Sequence, residues 1–161
     1  MELWDIYDKD RNHTGKTIVR GEKLKDGEYH LVIHAWIMNS EGKLLIQKRA
    51  DKVQVWPNMW AMTGGSAVKG ENSYETCVRE VGEELGINPD MKKAKMIFTK
   101  LRQDKITDVW VIKQDFLIEE CSLQKEEVSA AKWVSKEEIK NLIEKKKFIN
   151  YMYIDKLFQM I

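Results

Sequence analysis

The chain has 161 residues, with 27 Lys plus Arg against 26 Asp plus Glu and a net charge of +1. That length suits one domain with a sizeable core, and the balanced charge offers no global field to draw nucleic acid or an anionic membrane. Two cysteines, Cys77 and Cys121, are too few for a disulfide framework and lack metal-site spacing, and no apolar run is long enough to span a bilayer. A cytoplasmic, reducing setting is expected.

Residues 1–29 alternate turn residues (Asn12, Gly15, Gly21, Gly27) with short β-prone pieces. They read as a strand-and-loop extension packed on a single domain that spans 1–161. Leu31 to Met38 is apolar and β-branched and reads as a buried strand. The turn Asn39-Ser40-Glu41-Gly42 returns the chain through Lys43 to Arg49 as a hairpin partner, with Leu45 and Gln47 facing opposite to Leu44 and Ile46. Asp51 to Asn58 is a loop, and Trp60 to Thr63 a short strand running into Gly64-Gly65.

Asn72 can cap a helix with Glu75 at its third position, and Gly86 is placed to end it. Tyr74, Cys77, Val78, Val81 and Leu85 recur at helical spacing and should face the core. Ala94 to Leu101, Val109 to Ile118 and Val128 to Val134 read as strands. Ser135 and Glu138 form a capping box for a helix to about Lys146, where Lys145-Lys146-Lys147 suits a helix end. Tyr151 to Ile161 reads as a last helix. Strands interleaved with helices indicate an α/β fold, a mixed sheet covered by helices.

On the helix after Asn72, Glu80, Glu83 and Glu84 fall together on a second face, with Arg79 on its flank. Glu80 repels Glu83 and Glu84 at i,i+3 and i,i+4 by roughly 0.2–0.5 kcal/mol per pair. The helix C-terminus disfavours the last two further. The face is either simply solvated or a site for a hard cation, Mg²⁺ or Mn²⁺, which turns repulsion into coordination. Cys77 lies on the apolar face and reads as core. His30 and His34 share one side of a strand, and Trp56 and Trp60 bracket the loop before the glycines, where either indole packs or stacks on a base.

Gly65, five residues, Glu71, seven residues, then Arg79-Glu80-Val81-Gly82-Glu83-Glu84-Leu85-Gly86-Ile87 resembles the Nudix box, G-x5-E-x7-R-E-U-x-E-E-x-G-U, at all nine specified positions over 23 residues. The resemblance implies a Nudix fold, with a mixed sheet between helices and the box as loop–helix–loop. It implies hydrolysis of a diphosphate with Mg²⁺ or Mn²⁺. Glu80 and Glu84 would be the main metal ligands, with Glu83 binding directly or through water and the Gly64 carbonyl as a further ligand. Arg79 and Glu71 would pair and hold the loop against the helix. Gly64 and Gly65 would let backbone approach substrate and metal. The general base in such enzymes comes from the box or a later glutamate; Glu119, Glu120, Glu126 and Glu127 qualify, with Glu127 preferred. Arg49 would reach substrate phosphate, and Trp60 would face the substrate.

The segment around TGKTIVRGE and WPNMW is also similar to the isopentenyl-diphosphate isomerase branch, in which His30 lies at about the spacing of a metal histidine. Ala61 to Glu71 carries neither the cysteine nor the histidine of that chemistry. The expected activity is therefore hydrolysis of a diphosphate in a small, nucleotide-type metabolite, with no nucleic-acid or membrane partner. An isomerase and a non-catalytic Nudix-fold sensor are the alternatives.

Overall fold

Turns at Arg11 and Gly21 set off an antiparallel hairpin, β1 (Leu3–Tyr7) with β2 (His13–Val19). The computed structural model describes all 161 residues. The hairpin lies on the main body through a bridge from Tyr7 to Tyr29 and an apolar cluster of Tyr7, Leu31, Ala67 and Ile106. Arg11, at φ 67°, forks onto the fully buried Asp108, 2.8 and 2.5 Å away, and Thr99 donates to the same carboxylate at 2.7 Å. A buried carboxylate is tolerated only when so paired.

β3 (His30–Met38) is the central strand. It runs parallel to β8 (Lys105–Lys113), from His30 opposite Lys105 to Met38 opposite Lys113. β7 (Ala94–Arg102) adds to β8 antiparallel and forms the edge. β4 (Leu44–Arg49) meets β3 at one pair only, Met38 with Leu44. It then diverges to pair with β5 (Trp60–Ala61) and β9 (Val128–Val134). The expected hairpin therefore exists as a turn, but β9 supplies most of the ladder of β4. Leu44, Leu45 and Ile46 are all buried because both faces of β4 are covered.

The strand expected from Trp60 to Thr63 is broken at Met62. β5 stays with β4, whereas β6 (Thr63–Ser66) crosses to β3, placing Gly64 opposite His34 and Gly65 opposite Ile33. The divergence of β3 from β4, bridged by this crossing, opens the gap in which the site lies. β8 begins four residues before Val109 and ends at Lys113, because Ile106, Thr107 and Asp108 belong to its parallel register with β3. Past it, Gln114 and Asp115 accept backbone N–H groups from Asp90 and Ser40 at 2.7 and 2.8 Å, and Ile118–Glu120 is a 3₁₀ turn.

Helices cover both faces. α1 (Ser73–Leu85) buries Cys77, Val81 and Leu85 against Ile33, Ile37 and Leu45. Tyr74, expected in that stripe, is exposed and only edges onto Trp110; Ser73 and Thr76 take the buried positions, with Ser73 accepting from the Trp110 indole at 2.9 Å. On the other face, α2 (Lys136–Glu144) and α3 (Ile154–Met160) pack Ile139, Leu157 and Phe158 against Trp36, Leu44 and Ile46. Each such side chain contributes about 1.5–3 kcal/mol on burial. The last helix is shorter than expected: residues 148–153 form a strap along the sheet, with Phe148 bridged to Trp60.

Candidate active site

The loop before α1 and its first turn are fixed locally. Asn72 accepts from the Glu75 N–H at 2.8 Å and Glu75 reciprocates at 3.2 Å. Gly70, at φ 87°, turns the chain, and Glu71 accepts from the Val68 N–H at 3.0 Å. Arg79 then reaches back across the loop. Its Nε and Nη2 fork onto Glu71 at 2.6 and 3.0 Å, and Nη2 also donates to the Ser66 carbonyl at 2.9 Å. Its Nη1 donates to Glu80 and Glu83 at 3.0 and 3.1 Å. Burial alone would raise the Glu71 carboxyl; the Arg79 fork and the Val68 N–H outweigh it and hold the group below the usual carboxylate range.

Of the three glutamates, two converge. Glu84 is buried, Glu80 nearly so, and the two carboxyls lie in hydrogen-bonding contact. Burial pushes both upward, Glu84 to about 8, and at Glu84 the charge of Glu80 adds to the rise. Glu83 is half-exposed and turned to Arg79 in an i,i+4 ion pair. That spacing was readable in the sequence and separates Glu83 from the other two. No third His, Cys, Asp or Glu side chain joins the pair in a cluster that could hold a metal.

The pair nevertheless fits a hard divalent cation. Two acceptor-only carboxylates held together in a dry place need either a shared proton or a cation between them. Mg²⁺ commonly takes one or two carboxylates and completes its shell with water and substrate phosphates. Gly65 lies flush against Glu80: a Cβ there would overlap the carboxylate. Gly64 is pressed on β3, where a Cβ would stand 2.5 Å from the Ile33 carbonyl oxygen.

One supporting chain is invisible to the box. The Gln47 amide donates to Glu84, and Gln47 in turn accepts from the Thr63 hydroxyl at 2.9 Å. Both residues are buried, one on β4 and one on β6, where those strands diverge. An interior amide in the apolar run Leu44-Leu45-Ile46 was the sequence's one signal of it.

Two clefts lie near the pair without being lined by it: His34, in one, stands opposite Gly64, and the charge of Glu127, in the other, acts on Glu84. A polar one of about 320 Å³ is lined by Arg20, Arg49, Lys52, Glu126 and Glu127. Arg49 also donates to the Val55 carbonyl at 2.9 Å, and the charge of Glu127 is among those that push Glu84 up. Glu120 is committed to capping the Leu117 N–H at 2.8 Å, and Glu119 is exposed beside it. The larger cleft, about 670 Å³, is lined among others by His34, Trp56, Lys100, Arg102 and Tyr151. Trp60 lines neither cleft; its ring packs on the core beneath the Lys132 ammonium, 4.5 Å from the ring centre. Trp56, 57% exposed, is the indole that faces open space.

The two histidines of β3 pack among aromatic rings. His34 lies 2.6 Å from the Tyr153 hydroxyl, which accepts from the Trp36 indole at 3.0 Å, and burial depresses its imidazolium to about 4. His30 stacks face to face on Trp4 at 4.0 Å, its Nδ1 unpaired, and burial lowers it to about 4 as well. The histidine matching the isomerase spacing therefore sits under the N-terminal hairpin.

Comparison with known proteins agrees with this architecture. The NUDIX domain model matches residues 28–156. An uncharacterized Nudix hydrolase of Listeria monocytogenes is 45% identical over 161 residues, spanning 99% of this chain and 95% of its own. The crystal structure of DR0079 from Deinococcus radiodurans superposes with a TM-score of 0.81 at 19% identity, covering 98% of both chains. An isopentenyl-diphosphate Δ-isomerase of Corynebacterium diphtheriae is 28% identical over 91 residues, 56% of this chain and 50% of its own. The chain belongs to the Nudix family, and is a hydrolase of the type that cleaves pyrophosphate bonds, enzymes that in general use divalent metal ions.

Proposed function

We propose that the protein hydrolyses a diphosphate bond in a nucleoside-diphosphate-linked or similar small metabolite, with Mg²⁺ or Mn²⁺. The observation that carries this reading is the buried Glu80–Glu84 pair, set flush against Gly65 and braced by Arg79 on Glu71. A bound metal would neutralise phosphate charge and acidify a water. Glu80 and Glu84 would hold it, with the Gly64 carbonyl as a further oxygen and Glu83 reaching it through water. Gln47 fixes the Glu84 carboxylate, as ligand orientation requires. Arg49, with Arg20 and Lys52, would neutralise the leaving phosphate in the polar cleft. Glu127, at the same cleft, would take the proton of the attacking water.

The whole of 1–161 acts as one domain in this reading, its first 29 residues clamped by Arg11 on Asp108. Two free cysteines, Cys77 buried and pushed up to about 12 by burial, suit a reducing cytoplasm. No helix is long and apolar enough to cross a membrane.

The test is a panel of nucleoside di- and triphosphates, nucleotide sugars and dinucleotides, assayed with wild type and Glu84→Gln. Metal-dependent release of monophosphate or phosphate is expected from at least one, falling at least about 100-fold in the variant. Binding without turnover across the panel would instead support a sensor. Conversion of isopentenyl diphosphate without phosphate release would support an isomerase.

A further inference from the structure

The larger cleft carries two cations that diphosphate chemistry does not require. Lys100 and Arg102 stand on the edge strand β7, two residues apart and therefore on one face. Neither has a carboxylate within ion-pair distance, as is true of most basic residues of this chain, so both are free to meet a ligand anion. Lys100 lies over the Phe98 ring, 5.4 Å from its centre, which steadies the ammonium without neutralising it. Charge on an edge strand also guards against edge-to-edge pairing. That purpose is served by charges pointing anywhere, whereas these two line one cavity together with His34, Trp56 and Tyr151.

Register sets the span. Ser66, Val32, Thr107 and Lys100 lie side by side across β6, β3, β8 and β7. Three strand spacings separate the box loop from Lys100, about 14 Å, and the long stems of Lys and Arg reach back across part of it. Trp56, held at φ 54° where a bulky residue is strained, presents its exposed indole to the same cleft.

We propose that this cleft is the subsite for the organic end of the substrate, and that Lys100 and Arg102 read a second anionic group, phosphate or carboxylate, distal to the diphosphate. The substrate class is thus a diphosphate whose planar, nucleoside-like group lies over Trp56 and carries its own negative charge at the far end. This inference rests on the hydrolase reading above, but its test needs no hydrolysis.

Calorimetric titration in Mg²⁺ compares AMP with adenosine 3′,5′-bisphosphate, which adds a distal phosphate, and with adenylosuccinate, which adds distal carboxylates. None of the three contains a diphosphate bond. At least one anionic probe should bind about fivefold or more tighter than AMP, the scale of a charge-assisted contact at an exposed site; which one does so identifies the group. The preference should disappear in the Lys100→Gln/Arg102→Gln double variant and persist in Lys16→Gln, a solvent-facing control on β2. A smaller preference, no saturable binding of either anionic probe, or a preference that survives the double variant overturns the proposal. Failure of the hydrolysis panel with this preference intact would sink the reading of the box alone; turnover without the preference would sink the cleft assignment alone.

Discussion

The two glycines entering the box demand the absence of a side chain for different reasons, and substitution separates them. At Gly65 the obstacle to a Cβ is the Glu80 carboxylate, the free end of a flexible side chain. Gly65→Ala should leave the melting temperature nearly unchanged while displacing that carboxylate by about an ångström, a shift that lowers turnover roughly 100-fold. At Gly64 the obstacle is the Ile33 carbonyl, at 2.5 Å, which cannot swing aside without breaking the β3–β6 ladder. Gly64→Ala should therefore lose about 1–3 kcal/mol of stability and unfold at lower temperature. Thermal melts and steady-state kinetics on both variants decide the matter; equal destabilisation would refute the distinction. Gln47→Leu tests the hidden support: Glu84 stays buried but loses its donor, and a rise in the metal concentration needed for half-maximal turnover of about 10–100-fold is expected.

At the scale of elements, α1 is the part whose ends are written beside it. Asn72 and Glu75 start it, and Gly86 stops it at φ 68°, so both ends were readable in the chain. The C-terminal end also does something the sequence does not display. The Leu85 and Glu84 carbonyls accept from the Ser122 and Gln124 N–H groups at 2.8 and 3.1 Å, which ties the loop leading to Glu127 onto the last turn. A Cβ on Gly86 would stand 2.7–2.8 Å from Ser122 atoms, backbone included. Gly86→Ala should lose the left-handed cap and this contact together, costing at least about 2 kcal/mol. Activity should fall beyond the loss of folded protein, measured as turnover per folded molecule from the melt baseline; unchanged turnover would show that the loop is placed independently. What was illegible is what depends on meeting partners. The Gln47–Thr63 support joins β4 to β6, Arg11 finds Asp108 across 97 positions, and the large cleft is assembled from β3, β7, β8, the loop at Trp56 and the strap after Phe148. Tyr74 falls on the apolar stripe by periodicity yet is exposed, because the Trp110 indole takes the Ser73 hydroxyl as its acceptor and Ser73 occupies the buried position.

For the whole molecule, the buried carboxyl pair makes stability depend on pH and on metal together. The Glu84 carboxyl is raised to about 8 by burial, with the Glu80 charge adding, against an ordinary glutamate near 4.5 when the chain is unfolded. A raised carboxyl contributes stability that is complete below the unfolded value and is lost as pH climbs through the folded one. Other shifted groups act elsewhere. His30 and His34, depressed to about 4, and Asp108 and Glu71, held low by their partners, remove stability only on the acid side of neutrality. From pH 7 to 8.5, with chelator present, the pair should therefore lower stability by roughly 1 kcal/mol, or about 2–4 °C in melting temperature for a chain of this size. Cys77, pushed up to about 12 by burial, and Cys121, raised by burial and by Glu120 and Glu119, pull the same way near the top of that window. Glu84→Gln separates the two kinds of group: the thiols' share persists in the variant and the carboxyl's does not. Divalent ions bind only the ionised pair, so the stabilisation given by millimolar Mg²⁺ should grow over the same interval and vanish in Glu84→Gln. A chelated wild type whose melting temperature holds steady from pH 7 to 8.5, or a magnesium shift as large at pH 7 as at 8.5, would show that these two glutamates do not share a proton that a metal must displace.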